Sequence, residues 1–438
     1  MPSNFTLFCG TTATADAQPL LLEINGDGHP DLLLPQTGAT LPADDPAYQP
    51  RAFLNDGYGG CDRAHTLPVI PLSVGAAGAA DFDRDGRLDV FLGGRQIPGR
   101  YPEPAPCVLL MNRNGRFELS DRFPDFHGPI TAALATDVDA DGWLDLLLAC
   151  EWGTVTYLHN DAEQSFTDRS ATAGFTSTGT GWWNSLATAD FNHDDRLDYA
   201  VGNAGLNTLY TAPVTLLSGP FADNESNLLI ETILKDGQHY PRHSLTVLTA
   251  LVPSLKRRNR THDAYAPKPI TALFSTEQLA AARTFTATNL SSGIFLSQPS
   301  GTFVFTPFPR LAQIAPTYSL VATDLDGDTF TDLVGVQNLY SVRPETGRFD
   351  GGLGYVLYGD GTGAFSLAHG PQPTIQHDAK ALALIDLHAD GHPDRHVTRN
   401  QDTTLAIPTA NGHRLALKLI GPPENPPGIG TRITLVYE

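Results

Sequence analysis

The stretch "DFDRDGRLDVFLGG" from Asp81 places aspartates at positions one, three, five and nine of a nine-residue run and follows it at once with an apolar strand. Carboxylates this close repel one another, so such a loop either stays fully solvated or takes up a cation. Relatives of the run begin at Glu23 ("EINGDGHPD"), Asp137 ("DVDADGWLD"), Asp190 ("DFNHDDRLD"), Asp324 ("DLDGDTFTD") and Asp386 ("DLHADGHPD"). Six copies, each leading toward a strand, constrain the fold more than any other feature of the chain.

The donor chemistry fits calcium, a hard cation that takes six to eight oxygens at roughly 2.3–2.6 Å and tolerates irregular geometry. Side chains at positions one, three, five and nine converge if position six turns sharply, and position seven then needs only its carbonyl. Glycine supplies that turn at Gly28, Gly86, Gly142 and Gly391 because it enters positive φ without steric cost. The expected ligand sets are Glu23, Asn25, Asp27, His29 and Asp31; Asp81, Asp83, Asp85, Arg87 and Asp89; and Asp137, Asp139, Asp141, Trp143 and Asp145. Two more are Asp190, Asn192, Asp194, Arg196 and Asp198, and Asp324, Asp326, Asp328, Phe330 and Asp332. The copy at Asp386 is set aside because His388, a poor calcium ligand, stands at its third position. The loops resemble the first part of an EF-hand but lack its twelfth-position glutamate, and a strand follows where the hand has a helix.

The chain carries 48 acidic and 28 basic residues, and the six loops hold 22 of the acids within 54 positions. The acidity is therefore local, and six divalent ions would cancel twelve of the twenty net negative charges. That balance argues against a nucleic-acid partner. No run approaches the roughly 18 apolar residues of a membrane span. Calcium loops of moderate affinity fill readily outside a cell, which points to a secreted, periplasmic or surface setting, although "MPSNFTLFCG" has no signal-peptide pattern. Cys9, Cys61, Cys107 and Cys150 allow three disulfide pairings, and their spacing fits no metal motif.

The copies begin 58, 56, 53, 134 and 62 residues apart. A period in the fifties, with short strands and Gly-rich turns, predicts an all-β chain folded as a β-propeller with one four-stranded sheet per period. Seven blades are expected, with "GPFADNESNLLIETIL" from Gly219 as a degenerate copy and "FTLF" (Phe5 to Phe8) as the strand that closes the ring. Leu245, Leu248 and Leu251 at helical spacing, and the capping box of Ser275 and Gln278, predict a small helical insertion. The expected organisation is a first propeller part over 1–235, the helical insertion over 236–290, a second propeller part over 291–405, and a separate segment over 406–438.

The loops and their strands resemble the FG-GAP/VCBS repeats of integrin α-subunit propellers and, more closely, the bacterial relatives of cartilage acidic protein. "YLHNDAEQSFTDRSATAGF", "TGWWNSLATADFNHDDRLDYAVGNAGLN", "PRLAQIAPTYSLVATDLDGD" and "NLYSVRPETGRFDGGLGYVLYGDGTGAF" carry the likeness. "NGHRLALKLIGPPENPPGIGTRITLVYE" resembles the opening half of the ASPIC/UnbV module. The resemblance implies a calcium-bound, exported propeller that binds or scaffolds a glycan or protein partner, and it supplies no catalytic mechanism.

No nucleophile elbow, phosphate loop or zinc-type histidine spacing is present. Trp152, Trp182, Trp183, Tyr340 and Arg343 lie near strand ends, where they would line a mouth and stack on sugar rings. The competing expectation is that one ring of the tryptophan pair wedges between blades. A calcium-dependent polysaccharide lyase or glycan hydrolase is the alternative function. "KRRNR" (Lys256 to Arg260) is the basic cluster, suited to an anionic partner or to a solvated helix end.

Overall fold

The computed structural model describes residues 14–162, 165–342, 346–367, 375–386, 394–400, 405–407 and 419. Phe5 to Phe8, Cys9, Arg343, His388 and nearly all of 406–438 lie outside them.

Each acidic loop joins the first strand of an antiparallel sheet to the second. The strand after the loop is a short continuous apolar run, as in "DVFLGG", because it packs on both faces, and all six of its residues are buried. Six sheets follow this pattern among the described residues. They begin at the strands Leu20–Leu22, Val74–Ala80, Ile130–Thr136, Ser185–Ala189, Thr317–Thr323 and Ala379–Ile385. Five have four main strands that follow one another across the sheet in chain order, and the sixth has three. The first strands of successive sheets pack side by side, in the manner of propeller blades. The hydrophobic clusters lie between neighbouring sheets: Leu33 and Val90 meet between the first two, Phe91 and Leu148 between the next, Trp183 and Phe295 between the third and fourth.

The fourth sheet departs from the meander. Its second strand, Asp198–Gly202, pairs not with the next strand in sequence but with Gly293–Ser297, Val201 standing opposite Gly293. Between them lies a second sheet, ordered Gln238–Pro241, Leu228–Lys235, Val214–Gly219, Arg283–Ala287. Five short helices, from Leu245–Leu251 to Thr276–Ala281, cover it. Phe221, Ile230, Leu248, Leu255, Leu273 and Phe274 give this insertion its own core. The capping box forms: the Ser275 hydroxyl accepts from the Gln278 N–H, and Gln278 accepts from the Ser275 N–H.

The stretch at Gly219 is not a further blade, for Gly219 ends a strand of the inserted sheet. Its Asp223 carboxylate accepts from the Ser254 N–H at the start of a helix instead of facing a loop. The insertion also takes in residues 214–235, ahead of the expected start at 236. Cys61, Cys107 and Cys150 are unbridged. Burial pushes the Cys107 and Cys150 thiols up to about 11 and about 12.

Candidate cation loops and an aromatic cavity

The five described loops share one backbone design. Position six has positive φ in every copy: Gly28, Gly86 and Gly142 at 85° to 88°, Asp195 at 64° and Thr329 at 78°. Position four does too, at Gly26, Arg84, Ala140, His193 and Gly327. The sequence signal for that second turn is the glycine at position four of the first and fifth copies, Gly26 and Gly327. The position-one carboxylate is folded inward onto the loop's own N–H groups. Asp81 accepts from Asp85 and Gly86, Asp137 from Asp141 and Gly142, Asp190 from Asp194 and Asp195. Asp324 and Glu23 do the same with their own loops. Position five accepts from the position-seven N–H, as Asp85 does from Arg87 at 2.9 Å and Asp141 from Trp143 at 2.8 Å.

Position nine does more than sequence reasoning assigned to it. Asp31, Asp89, Asp145, Asp198 and Asp332 are fully buried. Each binds the N–H of loop position two through one oxygen and an N–H at an end of the third strand through the other. For Asp89 these donors are Phe82 and Asn112, for Asp145 Val138 and Asn160, for Asp332 Leu325 and Gly359. The residue stitches loop to sheet, and each oxygen keeps a second lone pair for a cation. Asn112 and Asn160, which the loop pattern did not flag, carry the stitch across sheets: their amides donate to Ile24 and Phe82 carbonyls in the preceding loop.

Burial and neighbouring carboxylates push these acids up, Asp89 to about 8 and Asp332 to about 6. Asp31, Asp81, Asp137 and Asp198 move the same way for the same first cause. Ligand oxygens of Asp81, Asp83 and Asp85 lie within 4.8 Å of one another, as do those of Asp137, Asp139 and Asp141, and of Asp324, Asp326 and Asp332. His159 joins Asp139 and Asp145 in a similar group. Basic side chains balance part of this charge: Arg113 lies 2.7 Å from Asp83 and 3.2 Å from Asp85, and Arg169 lies 3.6 Å from Asp139. The donor set is all hard oxygen at positions one, three and five. At position three of the fourth loop, the Asn192 Oδ1 atom is buried without a partner. An orphaned buried acceptor among carboxylates is what a hard cation would satisfy, so the residues present fit calcium.

A second feature lies at the opposite ends of the same strands. Arg95 follows the second strand of the second sheet, Glu151 and Trp152 end that of the third, and Trp182 and Tyr318 stand at or beside the starts of first strands. With Tyr101, Tyr210, Glu231 and Phe349 they line a cavity of about 400 Å3 between the blade sheets and the insertion. The Trp152 and Tyr210 rings stand nearly perpendicular to the Trp182 ring, at centroid distances of 5.1 and 5.0 Å. Trp152 is held at φ 59° where the strand bulges between Glu151 and Gly153; the left-handed region is costly for a bulky residue and marks a constrained site. Glu151 accepts from Arg95 at 2.7 Å and from the Tyr101 hydroxyl at 2.8 Å, while Glu231 accepts from Tyr210. The Tyr101 and Tyr318 phenols are pushed up by burial and stay neutral donors at neutral pH. The Trp182 indole N–H is buried without a partner.

Of the five expected stacking residues, Trp152 and Trp182 line this cavity. Trp183 does not: it is fully buried, with its N–H donated to the Gly153 carbonyl at 3.1 Å. The wedge expectation describes it, for Trp183 packs among Leu147, Tyr157 and Phe295 between the third and fourth sheets. Tyr340 lies in a neighbouring hollow with Arg348, Asp378 and Asn400. Tyr101, Tyr210, Glu151 and Glu231 were missed, since nothing local in the sequence brings residues so far apart together. No helix among the described residues is long and apolar enough to cross a membrane.

Residues 137–201, from the third loop into the strand after the fourth, match the family model described as an FG-GAP-like repeat. No curated protein matches the sequence significantly. Solved structures that match include the Saccharomyces cerevisiae protein Sqt1, at 11% identity over 89% of this chain and 83% of that one, with a TM-score of 0.38. The V. cholerae biofilm matrix protein Bap1 matches at 11% identity over 90% and 87%, with a TM-score of 0.28. The exotype rhamnogalacturonan lyase YesX matches at 13% identity over 94% and 68%, with a TM-score of 0.37. Superpositions this loose carry no argument about function. What the family match establishes is an FG-GAP-like repeat over residues 137–201 of an all-β, propeller-like chain.

Proposed function

We propose that the chain is a calcium-loaded propeller module, working outside the cytosol, that binds a carbohydrate in the cavity walled by Trp152, Trp182 and Tyr210. The observation that carries this reading is a cavity of about 400 Å3 walled by the Trp152, Trp182 and Tyr210 rings and holding the Glu151 and Glu231 carboxylates. Aromatic faces suit the C–H face of a pyranose, and Glu151 and Glu231 accept from its hydroxyls. The volume falls within the range of small-molecule sites, about 300–1,000 Å3. Calcium in the loops neutralises their mutual repulsion and fixes the strands that hold the cavity. FG-GAP/VCBS repeats beyond residues 137–201, an ASPIC/UnbV-like segment and a closed ring belong to this reading, the described blade-like sheets being six.

A glycan array probed with the full chain in calcium, followed by calorimetry on the retained glycan, tests it. Trp182→Ala should weaken binding about tenfold or more, as expected for a central aromatic contact. An array with no retained glycan, and binding to a protein partner instead, would overturn the carbohydrate reading. The presence of two carboxylates, Glu151 and Glu231, in one cavity favours glycoside cleavage as the second reading. A reducing-end assay on the same glycan separates the two: retention without product supports binding, product supports catalysis.

A further inference from the structure

Besides the asparagine stitch, two pairs of neighbouring acidic loops touch through a side chain at position four. Arg84, position four of the second loop, donates to the carbonyl of Gly142, position six of the third. Its guanidinium also lies 4.2 Å from the centroid of the Trp143 ring at position seven. The same arrangement recurs two sheets on. The His193 Nε2 atom, at position four of the fourth loop, is 3.2 Å from the carbonyl of Thr329, position six of the fifth. Its ring packs edge-on against Phe330, position seven, at 5.0 Å.

In both cases the peptide between positions six and seven is held at both ends. Its N–H is donated to the position-five carboxylate, Asp141 or Asp328, and its carbonyl faces the side chain from the preceding loop. That peptide orients an expected ligand oxygen at position five and carries the residue whose carbonyl is the ligand at position seven. Position four, in turn, can present its side chain only while its own loop holds the positive-φ turn, seen at 59° for Arg84 and 56° for His193. A cation that orders one loop therefore steadies the next. The remaining described loops have no such donor, for position four is Gly26 in the first, Ala140 in the third and Gly327 in the fifth.

We propose that Arg84 and His193 are positioning residues that join the cation loops into two coupled pairs, the second with the third and the fourth with the fifth. The first loop belongs to neither pair: it meets the second sheet only through the Asn112 amide on the Ile24 carbonyl, not through a position-four side chain on a six–seven peptide. The inference rests on the calcium reading of the loops, and does not depend on the carbohydrate cavity.

Trp143 provides the readout, since terbium bound in its loop is excited through the neighbouring indole; with excitation beyond the tyrosine absorption band, which leaves out Tyr157 beside Asp145, Trp143→Phe should abolish that signal. In the full chain, Asp83→Ala in the second loop should raise the terbium midpoint seen through Trp143 about fivefold or more, the usual size of coupling between sites. Asp27→Ala in the first loop should leave it within about twofold, the margin of independent sites. In the Arg84→Ala background, which alters affinity by itself through the lost charge, Asp83→Ala should add no further shift; the double-mutant cycle isolates the coupling. A midpoint unmoved by Asp83→Ala, moved as much by Asp27→Ala, or still moved in the Arg84→Ala background overturns the pairing while leaving calcium binding intact. Absence of any terbium or calcium uptake overturns both, and calorimetry on the unmodified chain tells that result from the others.

Discussion

At the scale of the residue, one aspartate-rich motif contains two kinds of aspartate. Asp83 at position three is partly exposed and faces Arg113, whereas Asp89 at position nine is buried and bonded to the Phe82 and Asn112 N–H groups. Asp89→Ala would strand both donors, each costing about 1–3 kcal/mol when left unpaired. Its melting temperature should therefore fall in chelator as well as in calcium. Asp83→Ala should lower melting in calcium alone, by removing one ligand. Thermal unfolding of both variants in the two conditions checks this, and equal loss by Asp83→Ala in chelator would make that residue structural too. The tryptophan pair divides in the same way. Trp183→Ala should cost about 3–5 kcal/mol in a urea titration, as large core truncations do. Trp182→Ala, at the cavity wall, should cost much less in stability while removing the ligand contact; the reverse order would place the cavity at the wrong ring.

At the scale of the element, the insertion interrupts the fourth sheet without distorting it. The Asn203 N–H bonds the Ser292 hydroxyl at 2.9 Å, so the chain leaves and re-enters at one place. Because Val201 and Gly293 are already paired, replacing residues 203–291 by a two-residue type I′ turn should close an ordinary hairpin. The shortened chain is expected to retain its calcium-dependent melting and to lose glycan binding, since Tyr210 and Glu231 go with the insertion. An unfolded product by circular dichroism would show that the insertion holds the fourth sheet together. The same element shows where the sequence was legible and where it was not. Each loop announces a strand on either side, because carboxylates and turn-forming residues recur at fixed offsets and the following run is apolar on both faces. The stretch at Gly219 imitates this locally, with an acid, an asparagine and an apolar strand, but Asp223 caps a helix and Leu228–Lys235 pairs within the inserted sheet. Periodicity reports local form; which sheet a strand joins is decided by long-range packing. The cavity was half legible for that reason: Trp152 and Trp182 lie at strand ends that a sequence reader can find, whereas Tyr101, Tyr210 and Glu231 reach it only through the way the insertion folds back.

At the scale of the whole molecule, a chain with a net charge of −20 keeps its carboxylates in a few clusters that burial makes reluctant to ionise. Without a cation, Asp89 is held up to about 8 and Asp332 to about 6, against an ordinary value of 3.8, and burial raises Asp31, Asp81, Asp137 and Asp198 as well. The folded state thus binds protons more tightly than the unfolded state at these groups. Their contribution to stability is full below about pH 4 and is lost as pH rises through 6 toward 8. Metal-stripped protein should accordingly melt at a lower temperature at pH 8 than at pH 5. Calcium reverses the trend, since it takes the place of the proton at the ionised carboxylates and competes with it at low pH. The rise in melting temperature on adding calcium should be small at pH 5 and largest at pH 8, well beyond the effect of sodium chloride at equal ionic strength. Calorimetric melting of metal-stripped and calcium-loaded protein at pH 5, 6.5 and 8 measures both slopes. A stripped protein that gains stability toward pH 8, or a calcium effect greatest at pH 5, would mean that the loops are already neutral as they stand and that the strands do not depend on a cation for their hold.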